Sequence, residues 1–459
     1  MPSFGHGTVI PPSSTRGQFS SRLGFIISAA GCAVGIGNIW SFPALTAENG
    51  GAAFVLVYLV MSFTLAYPAL VAELTIGRFS TSDPVTALER INPRPLWQKL
   101  GKLTGLAAMT TITLIYSFYS IVGGWFIGFS VIPVADGLGL KGFGESMGAF
   151  STVFSLLFML VFMLLTTLMV TRGVKEGIER WSSRLMPALF VLLLVLIAFG
   201  LTREGGMEGV KVYLLPDFSR LLDSKLLISA LGQSFFSMSL GVGAMMVYGS
   251  YLNKNANIPT TAAHVAVLDS TVAFMAGLLV IPCMYAAMRQ GITIYAPDGS
   301  LLNADALVFV VLPALFKQLG VAGQWVFFAF FVLMTIAALT SSIAMLETPV
   351  SFLVERGNLR RNTACWLVST IAAVIAFAII IHRDTLLSLT VKITTHYLMP
   401  LLCLATSIFC GWLMRQDRLL SEIRRGFPDV ETHLFWTIWP WYIRIVCPAL
   451  IFLLVLNSF

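Results

Sequence analysis

The chain has 459 residues, 57% of them hydrophobic and only 11% charged, with a net charge of +7 and a mean hydropathy of +0.85. A soluble domain carries about 25% charged residues, so composition excludes an ordinary soluble enzyme, a disordered chain, a collagen and a disulfide scaffold. A polytopic membrane protein remains.

Residues 1–21 are rich in Ser, Pro and Gly and lack a basic stretch followed by a short apolar core. They read as a polar cytoplasmic tail rather than a cleaved signal peptide. A crossing needs about 20 apolar residues. By that measure spans 1 to 11 run over 23–46, 51–77, 103–134, 149–171, 182–201, 226–252, 260–288, 320–354, 363–382, 385–414 and 435–457. Several exceed a straight crossing and must tilt, kink or protrude. Two connections are long, 202–225 and 289–319. The second holds a turn signal, Ala-Pro-Asp-Gly at 296–299, then a mildly apolar stretch 301–316 that predicts a short re-entrant or surface helix.

Orientation follows from the basic residues. The N-terminal tail and the even-numbered connections carry 19 of the 29 Lys and Arg, and the odd-numbered connections carry 8. This predicts a cell-membrane protein with a cytoplasmic N-terminus and, after eleven crossings, an outside C-terminus. The same asymmetry explains the positive charge without nucleic acid. The six cysteines lie inside apolar runs and the five histidines are scattered, so neither a disulfide framework nor a metal enzyme is indicated.

Spans 1 and 6 stand out. Span 1 contains Gly31, Gly35 and Gly37; span 6 contains Gly241 and Gly243, preceded by Ser234, Ser237 and Ser239. Close helix packing through small residues explains either one alone. Together they are the first helices of two successive sets of five. An odd repeat length inverts the second set, and glycine-interrupted helices at matching places point to a transport site at mid-membrane. Unwinding there frees backbone groups that lipid cannot satisfy. Freed carbonyls suit a small hard cation and a half-helix N-terminus suits a carboxylate, so a zwitterion moving with a cation satisfies both.

Intramembrane acids cost at least about 2.5–3.5 kcal/mol on insertion scales. Asp269, beside Ser270 and Thr271 in span 7, is therefore a functional candidate. Glu73 and Glu347 read equally well as structural acids near helix ends. Ala337, Thr340 and Ser341 share one face of span 8, where hydroxyls complete an oxygen cage or serve helix packing. The Gly-x-Gly at 35–37 is no dinucleotide motif, because Trp40 holds the third position and no strand precedes it.

Residues 22–78 contain R-L-G-F-I-I-S-A-A-G-C-A-V-G-I-G-N-I-W-S-F-P, then E-N-G-G and E-L-T-I-G-R. They closely resemble the neurotransmitter:sodium symporters. The resemblance continues through S-F-Y-S-I-V-G-G-W at 117–125, S-F-F-S-M-S-L-G-V-G at 234–243 and A-A-L-T-S-S-I at 337–343, and spans the chain from Arg16 onward. Eleven spans without a twelfth resemble the bacterial branch. The resemblance implies an all-α fold of one transmembrane domain, 22–459. Two inverted five-helix repeats (about 22–201 and 226–414) precede an extra helix (about 435–457), and helices 1 and 6 are unwound. It implies sodium symport by alternating access.

Carried over residue by residue, the first sodium site uses the Ala33 carbonyl, Asn38, Ser237 and Asp269 with a substrate carboxylate oxygen. The second uses the carbonyls of Gly31, Val34 and Ala337 with Thr340 and Ser341. The substrate carboxylate meets Tyr119 and the backbone at Ile36–Gly37, and its amine meets carbonyls of Ala33, Phe236 and Ser239. Ile115, Phe236, Val242 and Met345 wall its side chain, with Phe236 as a lid. Arg16, Glu355 and Tyr251 match an inner gate, and Gly177 with Pro187 matches a motif at which span 5 unwinds.

Three departures follow. Ser41 and Val391 replace the outer Arg–Asp gate, which shifts closure to other contacts such as aromatic packing of Trp40 and Phe236. Asp269 stands where many members have Asn, and Ala273 where chloride-independent members often have an acid, so Asp269 supplies the negative charge and chloride is not expected. Cys32 occupies an often polar position. Monoamine carriers have an Asp where this chain has Gly35, so the substrate brings its own carboxylate. The predicted substrate is a neutral, hydrophobic L-amino acid. Exclusion by one methylene is worth only about 1–3 kcal/mol, which favours a broad range. Another zwitterion (taurine, betaine or a γ-amino acid) and a transport-dead sensor remain alternatives. A channel lacks its polar stripe, and an enzyme lacks its nucleophile and base.

Overall fold

The computed structural model describes residues 17–139, 141–295, 302 and 304–458. Among them the chain is helical throughout, with no strand. Nine helices among the described residues are long and apolar enough to cross a membrane, and a bent pair makes a tenth. That pair is span 1. Ser21 caps its first half by accepting from the Gly24 amide, and the helix Arg22–Ala33 stops where Val34 turns extended. The second half, Gly37–Glu48, leaves at 55°.

Span 6 is also two helices, Ser224–Ser237 and Ala244–Ser250, each too short to cross alone. The six residues between them include Ser239, Gly241 and Gly243 at positive φ (52°, 86° and 80°). At Gly241 a Cβ would meet the Met399 carbonyl oxygen at 2.5 Å, so glycine is required twice over. Ser239 adopts the left-handed region despite its side chain, a strain of about 1–2 kcal/mol.

The other spans begin and end within a few residues of expectation, with two exceptions, spans 3 and 5, the latter beginning at Val174 rather than at 182. Span 3 starts at Pro95 and runs 43 residues to Gly137, because proline sets the first helical turn and a polar extension precedes the apolar run. Span 3 packs most extensively on span 8, Gly320–Glu355. The predicted helix in the second long connection forms over Leu307–Gln318. Its turn at 296–299 lies outside the described residues, as do residues 1–16 of the tail. Short helices also form at Pro84–Arg90, Lys141–Gly148, Gly206–Leu214 and Gln416–Arg424. Several spans widen into π-helical turns, which recur at functional sites.

Candidate functional site

The breaks in spans 1 and 6 face each other across a cavity of about 30 Å3. All nine residues expected to contact substrate line it: Ala33, Ile36, Gly37, Ile115, Tyr119, Phe236, Ser239, Val242 and Met345. Cys32, Gly35, Ile112, Ser237, Ala244, Ser341 and Met399 join them. No charged side chain is among the lining residues. The Ile36 amide donates to the Tyr119 hydroxyl at 3.2 Å, so one pole of the cavity pairs a phenol with the start of a half-helix. A Cβ at Gly35 would lie 2.5 Å from Ser341 Oγ and 2.7 Å from the Tyr119 hydroxyl. No side chain fits there without moving the pole. The Phe236 ring lies against Gly37, where a Cβ would meet it at 2.9 Å. Ser239 Oγ donates to the Cys32 carbonyl at 3.3 Å and ties the two breaks together.

Asp269 is fully buried at the centre of a polar cluster. Its Oδ1 accepts from Asn38 Nδ2 at 2.8 Å, and its Oδ2 from Ser237 Oγ at 2.7 Å and the Tyr58 hydroxyl at 3.3 Å. Asn38 Nδ2 also reaches Ser237 Oγ at 3.0 Å, and Asn38 Oδ1 accepts from the Gly35 amide at 3.0 Å. Three of the four residues assigned to the first cation site are thus directly bonded to one another. Tyr58 completes the cluster and was not anticipated.

The five residues assigned to the second site also meet. Ser341 Oγ donates toward the Val34 carbonyl at 2.9 Å and the Gly31 carbonyl at 3.3 Å, with the Ala337 carbonyl at 3.4 Å. Thr340 Oγ1 donates to Ala337 O at 3.0 Å. Three carbonyls and two hydroxyls converge there without a carboxylate, an oxygen set that a hard monovalent cation favours.

The remaining acids have structural partners. Glu73 is buried and accepts from the Gly241 amide at 2.6 Å, so it caps the unwound stretch of span 6. Glu347 is buried in an ion pair with Arg361 and accepts from the Tyr251 hydroxyl at 2.6 Å. Neither snorkels to solvent. Tyr251 also accepts at its carbonyl from the Phe19 amide at 3.4 Å, which seats it against the N-terminal segment. Glu355 accepts from the Asp83 amide at 2.8 Å. Arg16, its expected partner, lies outside the described residues.

Gly177 sits in a π-helical turn, Val174–Glu179, and Pro187 lies inside the following helix, so span 5 is fully wound here. Glu179, unnoticed in the sequence, holds Ser20 through its amide at 2.7 Å and its hydroxyl.

At the opposite end, Ser41 Oγ donates to Gln233 Oε1 at 3.2 Å, and Gln233 Nε2 donates to the Gly37 carbonyl at 2.9 Å. A neutral bridge thus joins spans 1 and 6 where the resemblance leads one to look for an ion pair. Trp40 packs edge-on against Phe126 (5.8 Å) and Phe309 (5.4 Å). Its aromatic partners come from span 3 and the short helix Leu307–Gln318, not from Phe236.

The chain matches the sodium:neurotransmitter symporter family over residues 16–140 and 135–459. It is 34% identical to an uncharacterized sodium-dependent transporter of Bacillus subtilis strain 168, YhdH, over 96% of this chain and 97% of that protein. It is 24% identical to the mouse sodium- and chloride-dependent GABA transporter 2, over 78% of this chain and 66% of that protein. Among solved structures it is similar to MhsT in complex with L-phenylalanine, with a TM-score of 0.83 and 33% identity over 97% of this chain and all of that one. Broken helices, apolar cavity and oxygen clusters thus sit in a chain matched nearly end to end. It belongs to the sodium:neurotransmitter symporter family and is a multi-pass, sodium-coupled membrane transporter of small molecules, not an enzyme.

Proposed function

We propose that this chain imports neutral, hydrophobic L-amino acids with sodium, by alternating access and without chloride. The observation that carries the reading is the uncharged cavity between the two helix breaks, with an amide–phenol pole and a buried carboxylate cluster beside it. A zwitterion would set its carboxylate against Tyr119 and the amides of Ile36 and Gly37, at the positive end of the helix Gly37–Glu48. Its ammonium would face the carbonyls of Ala33, Phe236 and Ser239. Ile115, Phe236, Val242 and Met345 offer the side chain only apolar surface. The L-phenylalanine complex of MhsT supports a hydrophobic substrate.

Two sodium ions would enter with it. One would use the Ala33 carbonyl, Asn38, Ser237 and Asp269, the other the carbonyls of Gly31, Val34 and Ala337 with Thr340 and Ser341. Asp269 brings a full negative charge to the first site, which removes the need for a chloride ion. The end bearing the basic connections faces the cytoplasm, with the gate of Arg16, Glu355 and Tyr251 and the Gly177–Pro187 segment of span 5. The single domain, 22–459, repeats inverted about its two broken helices.

The test is uptake into proteoliposomes under an imposed sodium gradient, with leucine, tryptophan, glycine, γ-aminobutyrate and glutamate, in chloride and in gluconate. Leucine and tryptophan are expected to enter at equal rates in both anions. Collapse in gluconate overturns the role given to Asp269. Preference for γ-aminobutyrate overturns the substrate class, and sodium-dependent binding without flux identifies a sensor.

A further inference from the structure

Span 11 carries an arginine on the outside of the bundle. Arg444 is the eleventh residue of the helix Leu434–Leu456 and lies level with Trp412, the last residue but one of the span 10 helix Arg383–Leu413. The two helices touch there, because a Cβ on Gly411 would lie 2.9 Å from Arg444 Cα. Arg444 Nε donates to the Gly411 carbonyl at 2.9 Å, and Trp412 Nε1 donates to the Arg444 carbonyl at 2.8 Å. Its guanidinium lies 5.2 Å from the Trp412 ring and 5.9 Å from the Trp441 ring. Both rings face outward, 59% and 61% exposed. Among the described residues no carboxylate forms an ion pair with Arg444.

The backbone is shaped to this contact. Spans 10 and 11 both widen into π-helical turns at the crossing, Phe409–Leu413 and Tyr442–Val446. Ile445, Phe452 and Leu456 continue from Trp441 along the same face, and all are about half exposed. A cation with one donor fixed by backbone, two outward tryptophans and an apolar track beyond them make up a complete set of contacts for one kind of molecule.

We propose that Arg444, Trp412 and Trp441 bind the phosphate headgroup of an anionic phospholipid, whose acyl chain lies along Ile445 and Phe452. The terminal nitrogens of a planar guanidinium grip two phosphate oxygens at once. Tryptophan settles at the level where headgroups meet hydrocarbon, and Trp412 is the last residue but one of the span 10 helix. A charge on a lipid-facing helix persists where it finds such a partner, and basic pockets between spans take anionic headgroups. The site lies on the outer face of spans 10 and 11, apart from the transport cavity, and does not depend on which amino acid is carried.

Native mass spectrometry of the full chain in detergent, titrated with dioleoyl-phosphatidylglycerol or dioleoyl-phosphatidylcholine, tests it. The wild type is expected to retain phosphatidylglycerol preferentially. Arg444→Gln is expected to weaken that binding about tenfold and leave phosphatidylcholine unchanged. Should Arg444→Gln fail to purify, Trp441→Ala removes an exposed ring and is expected to weaken phosphatidylglycerol binding several-fold. Equal retention by wild type and either variant overturns the site. A soluble arm uses millimolar glycerol phosphate. Thermal stabilisation by it equal to that from phosphatidylglycerol would mean a free-anion site and would overturn the lipid assignment.

Discussion

Asp269 gathers three donors onto two oxygens, and its charge rather than its size is what a cation would feel. Asp269→Asn preserves volume but removes that charge and points an amide NH2 at hydroxyl or amide donors. The half-saturating sodium concentration for uptake is expected to rise at least about tenfold, equivalent to about 1.4 kcal/mol. An unchanged sodium titration would take Asp269 out of the coupling machinery. At this scale much of the site was legible. Asn38, Ser237 and Asp269 stood in recognisable strings, and an acid in an apolar run announces itself. Tyr58 did not, because one phenol among the apolar residues 52–61 looks the same as a packing aromatic. Gly35 was legible for a different reason from the one that holds it. The sequence suggested a missing acid; the structure adds that Tyr119 and Ser341 leave no room for any side chain.

A helix can stay broken in a membrane only if its loose backbone groups find partners, and Glu73 is the partner for span 6. Glu73→Ala would strand the buried Gly241 amide, at a cost of about 1–3 kcal/mol, whereas Glu73→Gln keeps an acceptor in place. Thermal unfolding is expected to fall by several degrees for Ala and to stay close to wild type for Gln. Equal losses for both would mean that the negative charge, not the hydrogen bond, sustains the break. Apolar length made the spans readable, and paired glycines made both breaks readable. The π-helical turns were hidden, since one extra residue in a turn leaves no mark on hydropathy. The short helices at 84–90, 206–214 and 416–424 escaped because a span-length ruler passes over seven to nine residues. Glu73 and Glu347 were seen as acids near helix ends, but Gly241 for the one and Tyr251 for the other come from spans distant in sequence, and the nearer Arg361 reaches Glu347 from the start of the next span, none of which a local pattern reports.

For the molecule as a whole, the uneven basic residues predict which end faces the cell interior, and the cysteines make this testable. All six are buried, so the background of impermeant maleimide labelling should be low. Ser219→Cys, in the connection between spans 5 and 6, is expected to label in intact cells. Ser421→Cys, in the connection between spans 10 and 11, is expected to label only after permeabilisation. The reverse pattern would invert the topology. Overall architecture was the most legible level, because nearly the whole length is constrained by lipid on one side and a shared core on the other. How the cavity mouth beside Trp40 shuts was the least legible, because it depends on rings and amides meeting from separate spans. That mouth joins Ser41 to Gln233 without charge and seats Trp40 between Phe126 and Phe309. Neutral contacts are not screened by ions, and apolar burial weakens on cooling. At a fixed sodium concentration the contacts that seal this side should therefore hold alike at low and high ionic strength but loosen in the cold more than a salt-bridged gate would, so temperature rather than added inert salt sets how firmly this carrier closes.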